Sequence, residues 1–418
     1  MSNESGSGVS RRNFMRSLGA ASVAAASFPP LAAVAQAGAQ PGLAGMTVGD
    51  MSTLGGWLPA DVVVISSNEN PLGPAPCALA AIRDTAAAGN RYRGDILQGA
   101  IGTACDLFGL KRGYVGLFPG SAGPLNLALA SNIGPDRPLI YADPSYEQGP
   151  GVAGMVGAPR FPVKLNAAYA HDVRAMVAAS PKAGAYYIVN PNNTTGTVTP
   201  KADIVWLLKS KPAGSVVIVD EAYHHFTNEE SCIDLVAADQ DIIVTRTFSK
   251  IYGMAGLRAG LVFARPDYLL RFRATSMFAP SLASISSTSA AAANAALLDK
   301  ELVPLRRKLN ADNRDATMEF LVKRGYTVLP GSQTNFFMVD TQRPGGEFQR
   351  AMLDEKVAIG RTWPAMPTYV RITVGSSDEM AKFQAAFVRC MDKRLAAAVH
   401  YPTALNPSEL DRGELAFA

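Results

Sequence analysis

The sequence predicts an α/β fold, with a large domain whose mostly parallel sheet is flanked by helices, plus a smaller α+β domain. Several short, apolar, β-branched runs lack polar alternation, which is typical of strands that are buried on both faces. The predicted strands are Tyr186–Val189, Val216–Val219, Ile242–Arg246 and Gly260–Phe263. The chain has 418 residues, of which 48% are hydrophobic, so it can bury a large core and provide two or three domains.

Changes in composition divide the chain into segments. The expected segments are a signal peptide (1–39), an arm that joins the small domain (40–75), the large domain (76–299), the small domain (300–400) and a polar tail (401–418). An Ala-rich stretch, Ser284–Leu298, is followed by a charged stretch, Asp299–Asn313. Together they predict one long helix that links the two domains.

Charge and ligand spacing argue against two classes of function. The net charge is +4 and the pI about 8.8, and no basic run is interleaved with aromatic residues, so nucleic-acid binding is not indicated. The adjacent pair His224–His225 lacks the spacing of a metal site, and we expect no metal. The four cysteines contain no Cys-x-x-Cys motif and are expected to be buried thiols, although export could oxidise a pair.

The N-terminus predicts where the protein works. Ser10–Arg16 reads Ser-Arg-Arg-Asn-Phe-Met-Arg and resembles a twin-arginine (Tat) export signal. The moderately apolar stretch Leu18–Ala35 follows, and small residues around Ala37–Ala39 suit signal peptidase. Pro29–Pro30 interrupts the stretch, which is too short for a convincing membrane-spanning helix. The resemblance implies export by the Tat machinery to the periplasm; a basic tail or an uncleaved membrane anchor is the alternative.

Lys250 is the leading candidate for a catalytic residue. It follows the predicted strand Ile242–Arg246, with the hydroxyls of Thr247 and Ser249 just before it and Arg258 eight residues later. A lysine amine forms a Schiff base with an aldehyde, while hydroxyls and a guanidinium hold a phosphate. This combination favours pyridoxal 5′-phosphate (PLP), an aldehyde cofactor that carries a phosphate.

Two upstream motifs fit the same cofactor. Asp220 follows the predicted strand Val216–Val219, at the edge where open α/β sheets place ligands, and its carboxylate could pair with a protonated pyridine nitrogen. Tyr223 could reach the phenolic oxygen of the ring. The turn at Ser121 and Ala122 enters a predicted helix, so it offers free backbone N–H groups to a phosphate.

These motifs, in this order, resemble the fold-type-I PLP enzymes, and most closely the class I/II aminotransferases of the histidinol-phosphate aminotransferase type. The resemblance covers about residues 60–395. Asn190–Gly196 matches the family pattern Asn-Pro-Asn-Asn-Pro-Thr-Gly except that Thr194 replaces the second proline. The family's usual acidic residue near Ala122 is absent. The resemblance implies that Asn193 donates a hydrogen bond to the ring oxygen and that Tyr146 stacks on the ring face.

The resemblance also implies where substrate and partner bind. Arg371, on a strand predicted to be half-exposed, would fork onto the substrate carboxylate or, for a phosphorylated amino alcohol, hold its phosphate. Arg361 is a weaker candidate for a second contact. Asn70 belongs to a segment that would close over the substrate. Tyr92 would reach the PLP phosphate of a neighbouring subunit, which implies a homodimer with shared active sites.

The expected activity is therefore an aminotransferase that moves an amino group between an amino acid, or an amino-alcohol phosphate, and a 2-oxo acid. Lys250 would move the proton as general base and acid. Another PLP reaction on the same scaffold is an alternative, such as that of a decarboxylase, lyase, racemase or oxidase. Further alternatives are a specialised biosynthetic enzyme for an exported metabolite and a non-catalytic protein that retains PLP. The sequence does not name the amino donor or acceptor.

Overall fold

A computed structural model of the protein describes residues 58–275 and 285–399. The predicted signal peptide, the first half of the predicted arm and the predicted tail lie outside these residues, and the segment limits stay predictions. The strands of the described part are β1 (Val63–Ile65), β2 (Val115–Phe118), β3 (Leu139–Asp143), β4 (Arg160–Lys164), β5 (Ala185–Val189), β6 (Val216–Asp220), β7 (Ile242–Thr247), β8 (Gly260–Ala264), β9 (Phe336–Asp340), β10 (Val357–Ile359) and β11 (Tyr369–Thr373).

Helices connect most of these strands. They are α1 (Pro76–Ala86), α2 (Gly94–Phe108), α3 (Ala122–Ala130), α4 (Gln148–Met155), α5 (Val173–Ala179), α6 (Lys201–Ser210), α7 (Ile233–Ala237), α8 (Pro266–Thr275), α9 (Ser287–Leu298), α10 (Leu302–Lys323), α11 (Gly345–Asp354) and α12 (Ser377–Val399), with a short 3-10 helix at His224–Phe226. No helix among the described residues is long and apolar enough to cross a membrane.

The larger sheet has seven strands in the order β2-β8-β7-β6-β5-β3-β4. The strands from β7 to β4 are mutually parallel, whereas β8 is antiparallel to both of its neighbours. This confirms the predicted fold class. Each predicted strand is found within one residue of its predicted limits. The register places Asp220 beside Val189 on one side and Thr245 on the other, so the carboxyl ends of β5, β6 and β7 lie together.

The apolar runs follow from burial on both faces of this sheet. Along β6, Val217 and Val219 pack into one hydrophobic cluster, and Val216 and Ile218 pack into another on the opposite face. Helices cover both clusters, so no position of the strand remains for a polar residue until Asp220 at its end. The first polar residue of β6 therefore stands at the sheet edge where ligands bind.

A second hydrophobic core forms around the smaller sheets. Strand β1 pairs in parallel with β10, and β11 pairs antiparallel with β9. Phe337, Ile372, Phe383 and Phe387 lie in this core and are fully buried. Because β1 precedes the large sheet in sequence and β10 follows it, the chain returns to this core after completing the sheet. Residues on both sides of the large sheet in sequence are thus brought near its edge.

The predicted long helix across Ser284–Asn313 is wrong: Ser284 lies outside the described residues, and the rest forms the separate helices α9 and α10. Asp299 ends α9, and its Oδ1 accepts hydrogen bonds from the backbone N–H groups of Glu301 and Leu302, both at 3.2 Å. Pro304 then stands in the first turn of α10, where its missing N–H costs nothing. In one continuous helix the same proline would clash with the preceding turn.

Candidate active site

A cavity of about 340 Å³ opens at the carboxyl ends of the large-sheet strands. The small sheet β9–β11 and the segment before α1 close its other side. Most of the residues predicted from sequence line it. They are Ser121, Ala122, Tyr146, Asn193, Asp220, Tyr223, Thr247, Ser249, Lys250, Arg258, Arg361 and Arg371. Because these residues come from strand ends, helix starts and loops spread over 250 positions, the fold alone brings them together.

Asp220 is a buried carboxylate without a cationic partner among the described residues. It is 4% exposed, and it accepts hydrogen bonds from the Tyr187 hydroxyl at 3.3 Å, from Thr245 Oγ1 at 3.2 Å and from the Ala222 N–H at 3.2 Å. Burial raises the pKa of Asp220 to about 6, although these donors act in the opposite direction. The site therefore holds a negative charge that a cationic ligand group would stabilise.

Lys250 reaches the cavity from the loop after β7. Its Nζ donates a hydrogen bond to the Ser67 carbonyl at 3.0 Å and lies 5.6 Å from the centre of the Tyr223 ring. Desolvation and, to a smaller extent, the charge of the nearby Arg371 lower the pKa of Lys250 to about 8. An amine with a lowered pKa is neutral in a larger fraction of molecules, and it is then a better nucleophile and base.

Arg258 and two hydroxyls form an anion site beside Lys250. Thr247 Oγ1 donates to Ser249 Oγ at 2.9 Å, and Arg258 Nη1 donates to the same Ser249 oxygen at 3.4 Å. Arg258 makes no ion pair with a carboxylate in the described part of the chain. A Cβ added to Gly120 would meet the Arg258 guanidinium, and one added to Gly260 would lie 2.5 Å from the backbone of Gly120. Both positions therefore need glycine for this close approach.

Arg371 is buried, which corrects the prediction of a half-exposed strand. It is 5% exposed on β11 because the segment before α1 covers this strand. Its Nη1 donates to Asn193 Oδ1 at 2.7 Å and its Nη2 to the Ser66 carbonyl at 3.0 Å, whereas its buried Nε has no hydrogen-bond partner. The Trp363 ring centre lies 5.3 Å from its guanidinium carbon. A buried cation without a carboxylate partner is suited to an anionic ligand.

Tyr223 is fixed by a residue that sequence analysis missed. Asn68 Nδ2 donates to the Tyr223 hydroxyl at 3.0 Å, and Asn68 Oδ1 accepts from Thr373 Oγ1 at 3.0 Å. Burial raises the pKa of Tyr223. The sequence could have indicated Asn68 as a site residue, because it belongs to the same Asn-Glu-Asn segment as Asn70.

The structure does not bring Asn70 and Tyr92 to this cavity. Asn70 Nδ2 donates to the Ile251 carbonyl at 3.0 Å, and its Oδ1 accepts from the Leu72 N–H at 3.0 Å. The Asn70 amide thus joins the segment before α1 to the loop after Lys250 and does not face the cavity. Tyr92 is fully exposed between α1 and α2.

An ion pair that sequence analysis also missed supports the strand ends. Arg246 on β7 binds Glu221, which follows Asp220, with Nε–Oε2 at 2.9 Å and Nη2–Oε2 at 2.8 Å. Both side chains are buried. Desolvation opposes ionisation of Glu221, but the charge of Arg246 and the Cys232 N–H outweigh it and hold the pKa of Glu221 below its ordinary value. The pair joins β6 to β7 next to Asp220.

The residues present fit PLP in three respects. The buried carboxylate of Asp220 has no cationic partner among the described residues. The amine of Lys250, with its lowered pKa, faces the same cavity. Arg258, two hydroxyls and a glycine turn form an anion site. A pyridinium nitrogen, an aldehyde and a phosphate are the matching groups of PLP. No cluster of His, Cys, Asp or Glu that could hold a metal ion occurs among residues 58–275 and 285–399.

Comparison with known proteins agrees with this geometry. Histidinol-phosphate aminotransferase 1 of Nitrosococcus oceani is 34% identical over 331 residues, which cover 77% of this chain and 86% of that protein. An aromatic amino acid aminotransferase of Rhodococcus jostii is 30% identical, covering 84% and 98%. The histidinol-phosphate aminotransferase of Sinorhizobium meliloti, solved in complex with PLP, superposes with a TM-score of 0.74 at 23% identity, covering 84% and 95%. The family profile for aminotransferase class I and II matches residues 60–387, and this chain belongs to that family.

Proposed function

We propose that this PLP-dependent aminotransferase uses Lys250 as its covalent attachment point and proton carrier. The convergence of Lys250, Asp220 and Arg258 on one cavity carries the proposal. The chain transfers an amino group between an amino acid, or an amino-alcohol phosphate, and a 2-oxo acid. When bound, PLP supplies an aldehyde that condenses with amines and a ring that accepts electrons from the substrate α-carbon.

The cofactor roles follow from the charge of each group. Arg258, Ser249 and Thr247, with the backbone N–H groups at Ser121 and Ala122, hold the phosphate. Asp220 keeps the pyridine nitrogen protonated, because its buried negative charge and the positive charge of a pyridinium stabilise each other. Hydrogen bonds already hold the Asp220 carboxylate in place, so it does not have to reorient during the reaction.

The substrate roles follow from the other side of the cavity. Arg371 binds the substrate carboxylate, and its unpartnered Nε is the donor left for it. Asn193 orients Arg371 through its Oδ1, and its NH₂ group serves the ring oxygen together with the Tyr223 hydroxyl. Tyr146 stacks on the ring. Lys250 would accept the proton from the substrate α-carbon and deliver it to C4′, the aldehyde carbon of the cofactor.

Borohydride reduction tests the attachment point. Reduction of the purified protein should fix PLP to Lys250, as peptide mapping by mass spectrometry would show. Lys250→Ala should abolish the label and reduce turnover by roughly a thousandfold or more, because no other lysine of the described residues lines the cavity. Lys382→Ala, an exposed lysine on α12, is the control and should change neither. A label on another lysine would overturn the assignment.

We also propose a homodimer in which Tyr92 contacts the PLP phosphate of the other subunit. The exposure of Tyr92, a large aromatic side chain, supports this arrangement. Export to the periplasm by the Tat pathway is a separate proposal, supported by the sequence of residues 10–39, which precede the described part of the chain.

A further inference from the structure

The two arginines at the substrate side of the cavity differ in their partners. Arg371 has no carboxylate partner among the described residues, as shown above. Arg361 instead forms an ion pair with Glu147, which immediately follows Tyr146. The side chain of Arg361 is 33% exposed and that of Glu147 47% exposed, so the pair lies at the mouth of the cavity.

The backbone and an aromatic ring fix both members of this pair. Glu147 precedes the first residue of α4, and its carbonyl accepts from the Gly151 N–H at 3.0 Å. The guanidinium of Arg361 lies 5.1 Å from the centre of the buried Trp363 ring. The centre of the same ring lies 5.3 Å from the guanidinium carbon of Arg371, so both arginines lie close to Trp363. Arg361 thus faces the cavity with its charge already neutralised.

The consequence concerns the charge of the substrate. A first anionic group can bind Arg371, which is buried and free of carboxylates. A second anionic group would have to displace Glu147 from Arg361 or lie beside its negative charge. Glu69, also exposed at the cavity, adds a further negative charge on this side. An uncharged side chain meets neither obstacle.

We propose that Glu147 determines specificity, and that the enzyme prefers amino acids and 2-oxo acids with one carboxylate and an uncharged side chain over dicarboxylic ones. This inference rests on the proposed function, in which Arg371 binds the substrate carboxylate. It adds that Arg361 does not serve as a second anion site while Glu147 is present. Glutamine and glutamate provide the test, because they have nearly the same shape and differ in charge.

The experiment measures the second-order rate constant for amino transfer from each amino acid to the PLP-loaded enzyme. The absorbance change of the cofactor follows the reaction. The parent should react with glutamine roughly tenfold faster than with glutamate. Glu147→Gln should reduce this preference about tenfold, which corresponds to about 1.4 kcal/mol. The change should appear as a lower KM for glutamate, with the rate for glutamine within a few-fold of the parent.

Two matched variants distinguish an effect of the Glu147–Arg361 pair from an effect of negative charge in general. Glu229→Gln removes the same charge at an exposed position outside the cavity and should leave the preference unchanged. Glu69→Gln removes a cavity charge that is not paired with Arg361, and it should change the preference less than Glu147→Gln does. An equal effect of Glu69→Gln would overturn the assignment to the Glu147–Arg361 pair. So would a parent that prefers glutamate.

Equilibrium binding keeps this inference separate from the proposed function. Glutarate and its monoamide do not react, and their affinities can be measured by spectral titration of the PLP-loaded enzyme. The monoamide should bind more tightly than glutarate to the parent, and Glu147→Gln should reverse or remove the difference. If no amino acid reacts, the proposed residue roles fail, whereas the affinity ratio still decides the role of Glu147. An unchanged ratio in Glu147→Gln overturns the inference alone.

Discussion

Asp220→Asn should stabilise the PLP-free protein while impairing the enzyme. Asp220 is buried without a cation, and its pKa is raised from 3.8 to about 6. Each tenfold change in proton affinity corresponds to about 1.4 kcal/mol, so the ionised carboxylate destabilises the fold by about 3 kcal/mol at pH 8. Asparagine keeps acceptors for Thr245 and Ala222 but not for the Tyr187 hydroxyl, a loss of about 1 kcal/mol. The net gain should be roughly 2 kcal/mol.

The gain should depend on pH in a defined direction. The folded-state pKa of Asp220 lies above its unfolded value, so its ionisation destabilises the folded state above pH 6. The destabilisation is lost as pH falls from about 6 to about 4, because the carboxyl becomes protonated in the folded state first. At pH 5 the advantage of Asp220→Asn over the parent should therefore be less than half of its value at pH 8.

Urea denaturation of the PLP-free proteins at pH 8 and pH 5 measures these differences. Asp106→Asn, at an exposed position of α2, is the control and should change stability by less than about 0.5 kcal/mol. With PLP bound, the substitution should lower turnover roughly a hundredfold or more, because the charge opposite the ring nitrogen is lost. A PLP-free Asp220→Asn protein that is less stable than the parent at pH 8 would refute the reasoning.

Three further predictions test the remaining roles. Arg371→Lys should raise the KM for amino acids roughly tenfold or more, because an ammonium cannot replace the bonds to Asn193 and the substrate; an unchanged KM would remove Arg371 from the site. Mixing Lys250→Ala with a Tyr92→Phe variant of low activity should restore activity in verified heterodimers, and no recovery would argue against shared sites. Replacing Arg11 and Arg12 by lysine should retain active, uncut protein in the cytoplasm, as fractionation would show; a parent already uncut there would contradict export.

The sequence alone predicts the strands and the reactive residues that follow them. Val216–Val219 is apolar at every position, so its burial on both faces needs no knowledge of its neighbours. Asp220 then stands at the sheet edge by its position in the sequence. Lys250 likewise follows a buried strand, and the chemistry of its neighbours Thr247 and Ser249 indicates a phosphate.

Contacts between distant segments could not be predicted in this way. The burial of Arg371 depends on Ser66, which is 305 residues away in sequence. The ion pair of Glu147 with Arg361 spans 214 residues, and neither residue lies in a pattern that indicates the other. The break between α9 and α10 could have been predicted from Pro304, because a proline is tolerated in the first turn of a helix but not in its interior. The prediction of one continuous helix relied on the alanine content of Ser284–Leu298 and gave no weight to this proline.

The buried pair of Glu221 and Arg246 restricts how this active site can change during evolution. Losing either residue leaves the other as an unpaired buried charge beside Asp220, at a cost of several kcal/mol. The effect of a substitution at either position therefore depends on the residue at the other. Replacing both residues at once by uncharged side chains costs less stability than replacing either one alone. A mutational library that varies Glu221 and Arg246 separately should recover only the native pair. Joint randomisation should recover apolar combinations, because two well-packed neutral side chains leave no charge to satisfy.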